Sequence, residues 1–504
     1  MRKVPKIFSL VLALLLLFTA FTACQSNKDV SGPDASVDNT PAGTSKAPES
    51  SPPPAKEIPT IKWFQIGGQP KDLAAVTEKM NEYSAEKIGV KCEFTYLDWG
   101  VYGDRTKAIL SSGEYFDILF NNADYYSSAV RNGSFADITD ILNEAPELKA
   151  FVPEGVWLGA KIKGKIYGVP TYKDSSQTQY WVWDKELVEK YKIDYQNIKT
   201  LAQMDPVLHT IQDAIKKGEI TDGRYAFFLK DEGVNGQFMN YDARVVHLGV
   251  RFDDKTAKVV RVLEQPDILE NFKYLHKWYK EGLINPDAPT IKETPKWSPL
   301  GSGQGWPGAD AIWGANAGKP VVSQPWGGPL YSTDTILGSI NSVYSGSKYK
   351  TEAVKYLELC NVDPVMRNTL AYGIEGVHYT KNADGTITKD DVKKDDYGVA
   401  QYSQASFFTM WPQAPNPPDM WGKVKEWNAK AQNSVLLGFS FDREKVANEI
   451  AACEAAQAKY VNELFTGAAS PEETIKKIYN DMEKAGLSKI QEELQTQVNA
   501  FLGK

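Results

Sequence analysis

Residues 165–185 read KIYGVPTYKDSSQTQYWVWDK, and the organisation of the whole chain turns on them. The first part, Lys165 to Pro170, holds β-branched and aromatic residues and stops on a proline, which predicts a short strand ending where a backbone donor is lost. A polar loop follows. Gln179 to Trp183 is aromatic and extended, and a helix carrying Leu187, Val188 and Tyr191 comes after it. Everything before this stretch alternates strand with helix, and the residues after it look like a second unit of similar make. It reads as a crossover between two lobes, with aromatic rings facing the gap.

A chain of 504 residues is too long for one core and suits two or three domains. With 57 basic against 64 acidic residues the net charge is −7, and no strongly basic stretch offers a footprint for nucleic acid. The distinctive feature is aromatic content, 13 Trp and 25 Tyr. Most of these rings belong in cores. The remainder suits a surface that stacks on a ligand and hydrogen-bonds to it.

At the N-terminus Arg2, Lys3 and Lys6 precede the apolar run Leu10 to Phe18 and the small residues Thr22-Ala23, the pattern of a secretory signal. The run is shorter than the roughly 20 apolar residues of a spanning helix. Phe21-Thr22-Ala23-Cys24 resembles a bacterial lipobox, in which Cys24 is lipidated and becomes the first mature residue. Phe21 departs from the usual leucine, and plain secretion with cleavage near Ala23 is the alternative. Gln25 to Lys56 is rich in Ser, Pro, Gly, Asp, Thr and Ala and ends in Pro52 to Pro54, a composition that cannot offset its ordering entropy by burial. It reads as a tether stiffened at its proline end.

Beyond the tether, Thr60 to Ile66 has a strand pattern, Leu73, Val76, Met80, Tyr83 and Ile88 recur at helical spacing, Val90 to Tyr96 is the next strand, and Asp117 to Phe120 is a short buried one. Such alternation implies a parallel sheet with ligands beyond its carboxyl ends, so the loops 67–70, 98–103 and 121–126 point into one crevice. In the second unit, Tyr225 to Leu229 is expected as a strand and Asp253-Asp254 as a hairpin. Pro266 starts a helix that Gly282 ends in a left-handed cap. Trp297, Trp306, Trp313 and Trp326 fall in Gly- and Pro-rich loops, where core packing explains them less readily. Thr335 to Ile340 is expected as a returning strand, 347–361 as a helix, and Asn382 to Gly385 as a hairpin turn. In the helical tail, Ser470 to Glu473 predicts a capping box with proline at the first helical position.

In this order the pieces resemble the family 1 extracellular solute-binding proteins of ATP-driven importers, in the LipO-like lipoprotein branch of Gram-positive bacteria. The residues that carry the resemblance are Cys24 with its tether, Ile166 to Pro170, Glu281 to Asp287, Ser347-Lys348 with Glu352 to Val354, and Glu375 to Tyr379. The run from Val435 to Phe501 is similar to the extra domain of this branch. The resemblance implies an α/β, two-lobed, periplasmic-binding-protein-like (type II) fold with hinge crossovers and a helical C-terminal extension. It divides the chain into a signal peptide (1–23), lipidated cysteine and tether (24–57), the first part of lobe 1 (58–180), lobe 2 (181–331), a return to lobe 1 with hinge segments (332–434) and a helical domain (435–504). It further implies a monomeric, non-enzymatic protein, lipid-anchored on the extracellular face of the membrane, that hands a mono- or oligosaccharide to membrane permease subunits.

A sugar has apolar C–H faces and hydroxyl edges, so its site needs flat rings and planar hydrogen-bonding groups. Trp181, Trp183, Trp306, Trp326 and Trp411 are the stacking candidates. Asn122, Asp124, Lys173, Asp174 and Glu375 are the hydroxyl partners. Against them stand plainer roles: hinge packing for Trp183, a solvated loop for Lys173 and Asp174, a structural bond for Glu375. No cofactor and no metal is expected, because His209, His247, His276 and His378 lie far apart without a zinc motif. Gly314 to Pro320 is one residue short of a phosphate loop and has Pro320 where a hydroxyl must hold magnesium. Gly301 to Gly305 lacks the strand and helix of a dinucleotide site. Asn382 to Asp391 does not keep calcium-loop spacing. Cys92, Cys360 and Cys453 leave an odd count after lipidation, so at least one thiol is free or bonded between molecules, and a disulfide between two of them stays open. The alternatives to an importer component are a secreted glycan-active enzyme and an adhesion or sensor lipoprotein.

Overall fold

The structure, a computed structural model, describes residues 57–389, 393 and 395–504. The signal, Cys24 and the tether lie outside the described residues, as do Asp390 and Asp391 at the end of the acidic hairpin segment.

Two sheets organise the chain. The first has five strands in the order Lys91–Leu97, Thr60–Ile66, Ile118–Asn121, Ile340–Val343 and Gly168–Pro170. Thr60–Ile66 runs parallel to its neighbours on both sides, and Ile340–Val343 runs antiparallel to both of its own. Helices such as Leu73–Ile88 and Lys350–Val362 cover this sheet with Val76, Met80, Val354 and Leu357, all buried. The second sheet has the order Leu300–Gln304, Gln177–Asp184, Val321–Tyr331, Gln432–Asn433. Gln177–Asp184 is antiparallel to the strands on either side of it. A three-stranded antiparallel meander, Tyr241–Val245, Leu248–Arg251 and Val259–Arg261, adds to the second lobe.

The tail helices Ala447–Gln457, Pro471–Lys484 and Leu487–Phe501 bury Cys453, Ile478, Leu494 and Val498 in the same core as Trp181, Phe272 and Leu275. The C-terminal segment is thus built into the second lobe. The chain passes between the sheets at residues 171–176, 332–339 and 428–432, and polar side chains stitch these passages together. The Thr171 N–H donates to Ser339 O at 3.0 Å and the Ser339 hydroxyl to Thr171 Oγ1 at 2.9 Å. Asn428 accepts from the Ser176 hydroxyl at 2.7 Å and donates to Lys173 O at 2.6 Å.

Three local expectations change. Tyr225 to Leu229 forms no strand, only a bridge between Phe227 and Ile284, because Gln212 and Asn285 side chains bond the Ala226 and Leu229 backbone in place of a sheet partner. Thr333–Ile336 is a short helix, because Ser332 and Thr335 cap one another reciprocally, and the strand begins only at Ile340. Pro471 opens its helix as expected, but Ser470 makes no side-chain cap bond. Cys92, Cys360 and Cys453 are all free and buried, and burial raises each thiol pKa, well above its ordinary range for Cys92.

Candidate ligand groove

Side chains alternate across a strand, so Gln177–Asp184 cannot turn both its odd and its even residues to a gap. Trp181 and Trp183 turn inward. They are 0% and 1% exposed, within the core of the second lobe. The Trp183 indole donates to Gln324 Oε1 at 3.2 Å. Trp181 stacks on Trp326 with centroids 4.8 Å apart and 15° between planes, and meets Phe227 edge-on. The sequence reading of these three as ligand-stacking rings is corrected: Trp181 and Trp183 are core, and Trp326 gives one face to Trp181 while packing on Met239, Phe252 and Leu330.

Trp306 stands at the gap. It follows the edge strand Leu300–Gln304 and lines a cavity of about 310 Å³. The opposite wall comes from the first lobe, with Tyr372, Phe407 and Trp421, and from the proline-rich loop that supplies Gln413 and Asn416. Asp174 closes the floor. The indole N–H groups of Trp306 and Trp421 and the Asn416 amide oxygen are withdrawn from solvent with no protein partner among the described residues. A buried polar atom without a partner costs about 1–3 kcal/mol.

Asp174 also lines a hinge cavity of about 320 Å³. Its other walls are Lys173 from one passage and Gln177 at the start of the strand that follows, Asp334 from another passage, and Asp242 and Arg244 from the meander. Lys173 and Asp174 pair at 3.2 Å and are less than one-fifth exposed, so the pair is a fixed hinge element and not a solvated loop. Burial pushes the Asp242 carboxyl above its usual range, and one of its oxygens has no partner. Arg244 makes no ion pair within the described residues; its guanidinium sits 5.8 Å from the Phe238 ring centroid.

The remaining candidates lie elsewhere. Asn122 caps the helix Ala123–Arg131 by accepting from the Asp124 N–H at 3.1 Å, and Asp124 is exposed on that same turn. Both follow the carboxyl end of a strand, but neither lines these two cavities. Glu375 is exposed on a turn bridged to Tyr379. Trp411 stands behind the wall: its carbonyl accepts from the Tyr372 hydroxyl at 2.8 Å, and Lys381 covers its ring at 3.8 Å. Trp297 and Trp313 line a separate cavity in the second lobe.

Sequence reasoning missed Trp421, Gln413 and Asn416, although their prolines at 412, 415, 417 and 418 mark a rigid loop. It also passed over Trp99. That ring is 55% exposed beyond the carboxyl end of Lys91–Leu97, beside Tyr402 at 6.4 Å, inside one of the three loops already assigned to the crevice.

Three of the four histidines make structural bonds, while His247 is buried with its Nε2 unpartnered among the described residues. His378 receives the Ile374 N–H and meets Asp72, His276 meets Gly467 O, and His209 meets Asp205 O and Glu281. Among the described residues no group of three or more potential metal ligands occurs.

Comparison with known proteins agrees with this architecture. A model of bacterial extracellular solute-binding proteins matches residues 78–395, and a domain family of unknown function matches residues 435–503. A carbohydrate ABC transporter substrate-binding protein of Streptococcus pneumoniae serotype 4 (strain ATCC BAA-334 / TIGR4) is 26% identical over 461 residues, 88% of this chain and 91% of that one. The N-glycan transport solute-binding protein NgtS of Streptococcus pneumoniae superposes with a TM-score of 0.79 at 25% identity, over 88% of this chain and 99% of that one. Against the same protein in complex with Man1GlcNAc and with Man5GlcNAc the TM-score is 0.69 and 0.65.

Proposed function

Because the chain belongs to the bacterial extracellular solute-binding proteins, we propose that it captures a carbohydrate in the groove between its lobes and delivers it to the permease of an ATP-driven importer. The observation that carries this reading is the cavity lined by Asp174, by Trp306 from one lobe and by Trp421 and Tyr372 from the other. A Trp or Tyr ring offers a large apolar face to a sugar while its N–H or O–H remains a hydrogen-bonding handle. Closure is favoured only by contacts made to both walls, so a sugar that touches one wall leaves the lobes apart.

The chain acts without catalysis. The names of its relatives as binding proteins support that reading. Cys24 carries a lipid that anchors the chain to the extracellular face of the membrane, where it works as a monomer.

Calorimetry of the mature chain against Man1GlcNAc, Man5GlcNAc and a panel of plant and microbial oligosaccharides tests the proposal. Binding without product formation is expected, weakened about tenfold by Trp306→Ala. Accumulating product overturns the non-enzymatic reading, and absence of binding across the panel overturns the carbohydrate reading.

A further inference from the structure

We propose that the segment matched by the domain family of unknown function is a clasp, which bonds the second lobe to the first across a cleft behind the hinge and opposes closure of the ligand groove. The inference rests on the reading of two lobes that rotate about the passages between them, and adds the element that sets how readily they do so.

The clasp begins where the C-terminal segment leaves the third passage. Leu436 and Phe439 are buried in the core of the second lobe and Leu437 in that of the first, so the chain straddles both. Just beyond, two side chains reach back to the first-lobe helix Ala123–Arg131. The Ser440 hydroxyl donates to Ser127 Oγ at 2.7 Å, and Arg131 Nε meets Asp442 Oδ2 at 3.5 Å. Asp442 is held to the second lobe through its backbone. Gln497, on the helix Leu487–Phe501, accepts from the Asp442 N–H at 2.8 Å and donates to its carbonyl at 2.9 Å. A bonded path therefore joins a helix of one lobe to a helix of the other without using the hinge strands.

Position gives the direction of the effect. Residues of a helix are set about 100° apart, so in the single turn Thr333–Ile336 the middle pair faces away from the end pair. Asp334 and Thr335 line the hinge cavity. Thr333 Oγ1 accepts from the Gly438 N–H at 2.8 Å, and Ile336 lies against Gly159, where a Cβ would fall 2.4 Å from Ile336 Cδ1. The passage thus has the hinge cavity on one side and the clasp on the other. On the clasp side is a cleft of about 790 Å³, walled by Arg131, Leu158 and Ile162 of the first lobe and by Phe439, Gln497 and Phe501 of the second. Rotation about the passages that narrows the groove widens this cleft, and the Ser127–Ser440 and Arg131–Asp442 contacts part.

Strength suits a bias and not a lock. The Arg131 and Asp442 side chains are 33% and 37% exposed. An ion pair so open to water shifts an equilibrium by about two- to fivefold and is screened by salt.

The experiment uses the full mature chain with nitroxide labels at Glu78→Cys on the first lobe and Glu270→Cys on the second, both exposed positions, and reads the distance between them by electron–electron double resonance. In the sugar-free chain, Asp442→Asn is expected to raise the fraction of molecules at the shorter distance by about two- to fivefold. The charge swap, Arg131→Asp with Asp442→Arg, is expected to return that fraction to the wild-type value. Potassium chloride at about 1 M should act on the wild type as Asp442→Asn does, and leave the variant where it is. Gln497 seats the backbone at 442 whichever side chain stands there, and thermal melts check that each variant stays folded. A distance distribution that ignores Asp442→Asn, or that shifts to the longer distance, overturns the clasp. Shortening of the wild-type distance by Man5GlcNAc in that case leaves the carbohydrate reading standing. A wild type indifferent to Man5GlcNAc whose distance still responds to Asp442→Asn supports the clasp and counts against that sugar alone.

Discussion

Trp181 and Trp306 carry the same side chain and have opposite consequences. Trp181 is fully buried against Trp326 and Phe227, so Trp181→Ala leaves a cavity in the second core and is expected to lower unfolding free energy by about 3–5 kcal/mol in a urea melt. The aromatic run of Gln177–Asp184 was plain in the sequence. Which of its faces meets solvent was not, because that depends on strands at 300–304 and 321–331 that pair with it from far along the chain. Trp306 and Trp421 were hard to rank for the same reason: they approach one another across two lobes. His247 supplies a pH test. Burial first, and the neighbouring charge of Arg244 second, hold its pKa down at about 4 against an ordinary 6.5. The unfolded chain takes up a proton near 6.5 while the folded chain does so only near 4. Stability present above pH 6.5 is therefore lost as pH falls through that window, by up to about 3 kcal/mol. His247→Asn keeps a residue tolerant of the local φ of +59° and lacks the titrating group, so the stability difference, wild type minus variant, is expected to fall between melts at pH 7.5 and pH 4.5; an unchanged difference would contradict the assignment.

Elements were legible where their signals are local. Pro266 and Gly282 bound the helix Pro266–Glu281, with Gly282 at φ +73° as the cap requires. The alternation that opens the chain gave the parallel strands 60–66, 91–97 and 118–121. Signals failed where a side chain competes for the backbone, as Ser332 and Thr335 do in turning the start of an expected strand into a helix. The tail helices read as amphipathic, but nothing local says which surface receives them. Beside the shared core, one backbone approach seats them: Gly467, at φ +81°, lies so close to the helix Pro266–Glu281 that a Cβ would fall 2.2 Å from Leu275 O. Its own carbonyl meets His276 Nδ1 at 2.7 Å. Gly467→Ala is expected to cost about 3 kcal/mol, from the overlap with a packed helix and the positive φ together. Hydrogen exchange should show the helices 471–484 and 487–501 losing protection first, whereas unchanged protection there would mean that the tail is held by its apolar faces alone.

At the scale of the molecule, two cores meet through three passages tied by Thr171, Ser339, Ser176 and Asn428. That stitching keeps the passages in register while the lobes beyond them rotate, the pattern of hinge closure around a ligand. Asn428→Ala removes the bonds to Ser176 and Lys173 and is expected to weaken sugar binding without altering any residue of the cavity wall. Calorimetry beside thermal melting distinguishes this loosened hinge from simple instability. The central claim is that the lobes close on a carbohydrate. Small-angle scattering of the mature chain, with and without a saturating oligosaccharide that calorimetry has shown to bind, tests it most directly. A smaller radius of gyration in the presence of sugar is the predicted result, and an unchanged radius at full occupancy would contradict it.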